Sequence, residues 1–156
     1  MLIGKMEKLF SQDRRLYSRY LIAEVRHSLL LVRQKELAPY NISPQQSDVV
    51  FVIYNLGHKA TLAELSKYTG RGISTLSIQL TRMEKDGLIK KSRENPKSAL
   101  LKYELTKEGL NIYKVTIPRK AYGNIMSVLS DEELRQLIFM LQKIYSSSEK
   151  YLSENF

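Results

Sequence analysis

The chain has 156 residues, 43% of them hydrophobic, with 25 Lys/Arg, 16 Asp/Glu, two histidines and no cysteine. That length fits one domain or a compact module with helical extensions, and that apolar content builds a core rather than a disordered coil. The missing cysteines exclude disulfides, thiolate metal sites and thiol redox sensing. With no secretory pattern in Met1 to Phe10 and no apolar run near the roughly 20 residues that span a bilayer, a cytoplasmic protein with no membrane partner is expected.

The net charge of +9 is uneven. Residues 59–107 hold eleven Lys/Arg and five Asp/Glu, residues 1–58 eight and five, and residues 108–156 six and six. Two thirds of the excess therefore falls in the middle third, which points to a polyanion partner there. A solvated basic face accounts for the same charge.

In chain order, a first helix is predicted from Gln12 to Leu37. Leu9, Leu16, Tyr20, Ala23, His27, Leu30 and Leu37 recur at helical intervals, and Arg14, Arg15, Arg19, Arg26 and Arg33 take the other face. Pro39 and Asn41 end it. Ser43-Pro44-Gln45-Gln46 is the next start signal, a capping box with proline at the first helical position. The helix it opens runs to Gly57 and is almost wholly apolar through Val49, Val50, Val52, Ile53 and Leu56, so it should be largely buried.

Thr61-Leu62-Ala63-Glu64 is a second capping box. Its short helix turns Leu62, Leu65 and Tyr68 inward and ends at Gly70. After the turn Arg71-Gly72-Ile73, a helix from Ser74 to Asp86 keeps Ile73, Leu76, Leu80 and Met83 at core spacing. Two short helices across a glycine turn form a helix-turn-helix. Leu88 to Arg93 then reads as a strand, Glu94 to Ser98 as a turn, and Ala99 to Leu105 as a returning strand. The fold class expected is mainly α with a small β-hairpin wing.

Thr106 caps a helix through Ile112 and Val115, which Pro118 should kink or break. The segment resumes through Tyr122, Ile125, Met126 and Leu129. Ser130-Asp131-Glu132-Glu133, a third capping box, opens a last helix with Leu134, Leu137, Ile138, Leu141, Ile144 and Tyr145 on one side.

The outward face of the Ser74–Asp86 helix carries Ser74, Thr75, Ser77, Ile78, Gln79, Thr81 and Arg82, with no carboxylate before Glu84. Short side chains let a helix approach the major groove, and a few longer ones reach base edges. Gln79 suits adenine, Arg82 suits guanine or a phosphate, and Ile78 suits a thymine methyl. Ser74 and Thr75 suit a phosphate at the helix N-terminus, and Arg71 in the turn joins this set. Lys90, Lys91, Arg93 and Lys97 in the hairpin would bind phosphates or the minor groove. An ordinary exposed helix and a lysine-protected hairpin edge are the bland alternatives. Two histidines, no cysteine and no glycine-rich phosphate loop give no catalytic set, so neither an enzyme nor a cofactor is expected. His27 and His58 are too few for a zinc site, although Glu24 and His27 share a helical face.

A long helix, the Ser43-Pro-Gln-Gln helix, Leu62-Ala-Glu-Leu-Ser, Ile73-Ser-Thr-Leu-Ser, Arg82-Met-Glu-Lys-Asp-Gly-Leu-Ile, a wing, Leu105-Thr-Lys-Glu-Gly and two further helices follow in that order. This order resembles the MarR family of bacterial transcription regulators over nearly the whole chain. The resemblance implies a homodimer: residues 1–42 and 107–156 would form the dimerisation helices, and residues 43–106 the winged helix-turn-helix. An intramolecular bundle is the alternative use of the terminal helices. Two such domains would sit on a pseudo-palindromic operator in double-stranded DNA, with half-sites about one helical turn apart. The resemblance also implies a repressor released by a small aromatic or phenolic ligand, with Tyr20, Arg26, His27, Tyr40 and Tyr113 as candidate liners. Each of these also serves as an ordinary structural side chain. The family's wing carries Asp-x-Arg near its tip. Asn95 to Ala99 has neither residue, which leaves Lys97 or Arg93 to substitute. A winged-helix module that binds protein or RNA is the competing function.

Overall fold

A computed structural model describes residues 2–10, 12–93 and 100–156. Two compact units divide the chain, Met1–Arg119 and Lys120–Phe156.

The first unit opens with helix α1 (Leu2–Leu9) and helix α2 (Arg14–Leu37). The helix expected from Gln12 to Leu37 is α2, which starts at Arg14 because Asp13 caps it, and α1 is a further helix ahead of it. The Asp13 carboxylate accepts from the amides of Arg15 and Leu16, both at 3.0 Å. Leu9, counted in the apolar stripe of the long helix, sits on α1 and is 73% exposed. A single 3-10 turn, Ala38–Tyr40, ends on Asn41 in the left-handed region at φ 52°. Helix α3 (Pro44–Asn55) then starts from the complete capping box. Ser43 Oγ accepts from the Gln46 amide at 3.2 Å, and Gln46 Oε1 accepts from the Ser43 amide at 2.9 Å. Val49, Val50 and Ile53 of α3 are fully buried, whereas Phe51, Val52 and Tyr54 are half-buried.

Strand β1 (Lys59–Thr61) leads directly into helix α4 (Leu62–Thr69), followed by helix α5 (Ile73–Lys85), strand β2 (Ile89–Ser92), strand β3 (Lys102–Leu105) and helix α6 (Lys107–Thr116). The expected two-stranded hairpin is thus part of a three-stranded antiparallel sheet, ordered β1-β3-β2. Lys59, Ala60 and Thr61 face Glu104, Tyr103 and Lys102, and Ile89 to Ser92 face Leu105 back to Lys102. Strands β2 and β3 are shorter than expected. Leu88, Arg93, Leu100 and Leu101 are outside the strands, and Ala99 with the expected turn Glu94 to Ser98 lies outside the described residues.

Leu37, Val49, Val50, Ile53, Leu65, Leu76, Leu80, Met83 and Ile89 are the largest fully buried side chains, and Ala60, Tyr103, Leu105 and Ile112 join them in one core. Each such aliphatic side chain contributes about 1.5–3 kcal/mol of burial. Two polar devices hold this core together. Thr106 Oγ1 caps α6 by accepting from the Gly109 amide at 3.1 Å, and its hydroxyl donates to the Gly87 carbonyl at 2.5 Å. Gly109 packs so closely on the residue before β2 that a Cβ there would clash with the Leu88 carbonyl oxygen. The second device is Arg33, 4% exposed. Its guanidinium donates to Glu36 on α2 at 2.5 Å, to Ser47 Oγ on α3 at 3.0 Å and to the Thr116 carbonyl at the end of α6 at 2.9 Å.

The second unit holds helix α7 (Lys120–Met126) and helix α8 (Asp131–Asn155). Pro118 lies in the break between α6 and α7, as its missing amide requires. The Ser130–Glu133 capping box opens α8, and three carboxylates in the first turn complement its dipole. Ile138, Phe139, Met140, Leu141, Ile144, Tyr145, Tyr151 and Leu152 are all exposed on α8, so its apolar residues spread over more than one side. Among the described residues no helix is long and apolar enough to cross a membrane.

Candidate nucleic-acid interface

Helix α5 is aimed by what precedes it. Gly70 takes φ +66° and ends α4, and two residues later Gly72 begins α5. Ser66 Oγ fastens the turn by donating to the Arg71 carbonyl at 2.6 Å. Helices α2, α3, α4, α6 and α8 each have a side-chain cap, but α5 starts from Gly72 without one. Its first amides therefore keep their donor capacity at an exposed, dipole-positive end.

The two faces of α5 separate cleanly. Leu76, Leu80 and Met83 are fully buried. Ser74, Thr75, Ser77, Ile78, Thr81 and Arg82 are exposed, and Gln79 is half-buried. Thr81 donates its hydroxyl to the Ser77 carbonyl at 3.0 Å. The Arg82 guanidinium has no hydrogen bond or ion pair among the described residues. Two residues expected in the core lie outside it. Ile73 is 49% exposed, because a side chain at the first helical position leans past the helix end. Tyr68 is 57% exposed, because the buried line of α4 runs from Leu65 to half-buried Thr69.

Thr75, Ile78, Gln79, Arg82 and Asp86 share a groove of about 440 Å³ with Ser43, Gln45 and Gln46 at the start of α3. Gln46 bridges the two helices with an amide donated to the Asp86 carboxylate at 3.4 Å. Sequence reasoning missed Gln45, Gln46 and Asp86 as parts of this surface. Periodicity within α5 carries no information about a helix thirty residues upstream. Arg71, expected beside this face, is engaged with α3. Its guanidinium donates to Asp48 Oδ2 at 3.0 Å and to the Gln45 carbonyl at 3.3 Å, and its side chain is 21% exposed. It ties the helix-turn-helix turn to α3.

The sheet divides the basic residues by strand alternation. Lys90 pairs across β3 with Glu104, which also holds Lys59 of β1, at 3.3 and 2.6 Å. Hydrogen bonds from Lys59, then Ser92 and Lys90, pull the Glu104 carboxyl down to about 2. Lys91 points the other way, toward α5, and its ammonium sits 2.7 Å from Glu84 Oε2. That hydrogen bond raises the Lys91 pKa. Arg93 is exposed at the end of β2. Lys97 lies outside the described residues, as do Asn95, Pro96 and Ala99.

No protein-family model matches this chain, and no curated protein does. Solved structures do. AbsC, a MarR family transcriptional regulator from Streptomyces coelicolor, has a TM-score of 0.79 at 21% identity, covering 89% of this chain and 97% of its own. A mutant E. coli MarR complexed with operator DNA gives 0.75 at 22% identity, covering 87% and 97%. The organohalide-sensing regulator RdhR gives 0.78 at 23% identity, covering 88% and 83%, in both ligand-free and 2,4-dichlorophenol-bound forms. The fold is MarR-like.

In this MarR-like fold the candidate effector residues are dispersed. Tyr20 packs against Phe10, ring centroids 5.4 Å apart. Tyr113 of α6 stacks on Tyr54 of α3 at 3.6 Å and 14°, with Phe51 on the same row at 6.5 Å. His58 meets the Tyr54 edge at 4.7 Å, and the Arg119 guanidinium lies 4.5 Å over Phe51. Arg26, His27 and Tyr40 are exposed. Among the described residues no hydrogen bond or ring contact joins any of the five candidates to another.

Proposed function

We propose that this protein is a sequence-specific, double-stranded DNA-binding transcription regulator. The observation that carries this reading is the exposed face of α5. It is mostly small and polar beside exposed Ile73 and Ile78, carries no carboxylate from Ile73 to Met83, starts from an uncapped N-terminus, and presents Arg82, whose side chain has no partner among the described residues. Gln79, Arg82 and Ile78 would read bases, while Ser74, Thr75 and Ser77 approach the backbone, and Arg93 and Lys97 reach phosphates from the wing. The operator complex of a MarR with this fold supports the same assignment. The polar, carboxylate-poor face lacks the aromatic anchors that a protein interface favours, and no feature of the described residues favours RNA.

The regulator would act as a homodimer. Leu16, Ile22, Val25 and Leu31 on α2 and the exposed apolar residues of α8 are the surfaces that a second copy would cover. An aromatic or phenolic effector, in line with the 2,4-dichlorophenol-bound form of RdhR, would release a repressor by favouring a dimer geometry that does not fit the operator. Tyr113 and its aromatic row are the most developed of the candidate liners.

The test is binding of the purified protein to the DNA upstream of its own gene, beside a scrambled duplex, across a salt series. A preference for the native duplex and an affinity falling linearly with the logarithm of salt are expected. Equal binding to both, or no salt dependence, refutes the regulator. Sedimentation in the same buffers reads the dimer.

A further inference from the structure

We propose that Glu84 sets the DNA affinity of this protein by competing with a backbone phosphate for the ammonium of Lys91. This inference rests on the DNA-binding reading above. Glu84 is the first carboxylate on α5, half-buried, three residues after exposed Thr81 and four after fully buried Leu80. Residues at those spacings are neighbours on a helix, so Glu84 stands at the margin between the core and the face offered to DNA.

Lys91 reaches it from the sheet. The Cα of Lys91 is paired with Tyr103, whose side chain is buried, so Lys91 leaves β2 on the side that carries α5, opposite to Lys90. Its ammonium stops 2.7 Å from Glu84 Oε2. The two side chains are 42% and 34% exposed, so the pair forms in partly solvated surroundings, where ion pairs are weak and exchange readily. A phosphate brought to this edge meets a cation already neutralised by a carboxylate. To bind Lys91 it must displace Glu84, which then draws a cation from solution. That uptake cancels the counterion that the phosphate releases. In the free protein the same bridge holds the wing strand to the recognition helix.

Glu84→Gln keeps the shape and removes the charge. Expected are a roughly three- to tenfold gain in affinity for the upstream duplex at about 0.15 M salt, and a slope of log affinity against log salt steeper by about 0.9. The ratio of native to scrambled DNA should stay constant, because a phosphate carries no sequence. In a Lys91→Ala background the same substitution should give no gain. A Glu84→Gln protein with unchanged affinity and slope overturns the competition. So does a gain that persists undiminished without Lys91, since the carboxylate would then repel DNA by itself. Wild-type protein that ignores its upstream DNA overturns both this and the regulator reading. Wild-type protein that binds beside an unchanged variant overturns Glu84 alone.

Discussion

Arg33→Met is the substitution that tests most directly how the unit Met1–Arg119 is held together. The guanidinium is the meeting point of α2, α3 and the end of α6. Methionine matches much of its volume, so the change removes charge and hydrogen bonds rather than opening a large cavity. It leaves the Thr116 carbonyl and Ser47 Oγ without the donor they share, and Glu36, whose side chain is 22% exposed, without the guanidinium. A buried acceptor that loses its donor costs about 1–3 kcal/mol, and breaking a buried ion pair from one side costs about 3–5 kcal/mol. Because Glu36 keeps some access to water, the lower part of that range applies, about 3 kcal/mol. Urea unfolding followed by circular dichroism measures it, and Arg33→Lys should fall between wild type and Met, since an ammonium cannot reach three partners with the same fork. A loss below about 1 kcal/mol for Arg33→Met, the scale of an ordinary surface substitution, would refute the reasoning.

Gly109→Ala should destabilise by about 2–3 kcal/mol, because its Cβ would be driven into the Leu88 carbonyl; thermal unfolding reads this, and an unchanged midpoint contradicts the close approach. Glu104 titrates near 2 folded and near the ordinary 4.5 unfolded, so its contribution is fully present above about 4.5 and lost as the pH falls through 2. The shift corresponds to at most about 3 kcal/mol, and its half-exposed lysines reduce that to about 1–2. Glu104→Gln should therefore flatten stability between pH 5 and 2, tested by urea titrations at several pH values. Arg71→Ala should lower stability and DNA affinity together, whereas Arg82→Ala should cost about 1–3 kcal/mol of DNA affinity with the unfolding midpoint unchanged. Equal behaviour of the two variants would contradict a structural role for the tie of Arg71 to α3.

Local signals carried most of the fold. The Ser43, Thr61 and Ser130 capping boxes form with both halves in place, because each is satisfied within four residues. Leu76, Leu80 and Met83 are buried as their spacing required. What was not legible is non-local or marginal. Strand β1 is Lys-Ala-Thr, too short to alternate, and is a strand only because β3 pairs with it. Periodicity alone starts α2 at Gln12, two residues before Arg14, where the Asp13 cap begins it. Ile73 and Tyr68 obeyed the periodicity of their helices but sit where the core has already ended. On the candidate interface, composition identified the face of α5, yet no spacing showed that Arg71, Lys90 and Lys91 would each find a carboxylate.

The strand order also fixes a sequence of events during synthesis. Strand β1 runs straight into α4 and β2 follows closely after α5, so β3 pins both ends of the helix pair at once. It does so across about 40 residues of chain, a loop whose closure carries an entropic cost that local helix formation does not. In a nascent chain emerging from the ribosome the residues of α4 and α5 therefore appear before the strand that clasps them. Helices this short are marginal alone, so their closure waits on Tyr103 and its neighbours. Amide exchange should rank the segments the same way, with β1 opening whenever β3 does.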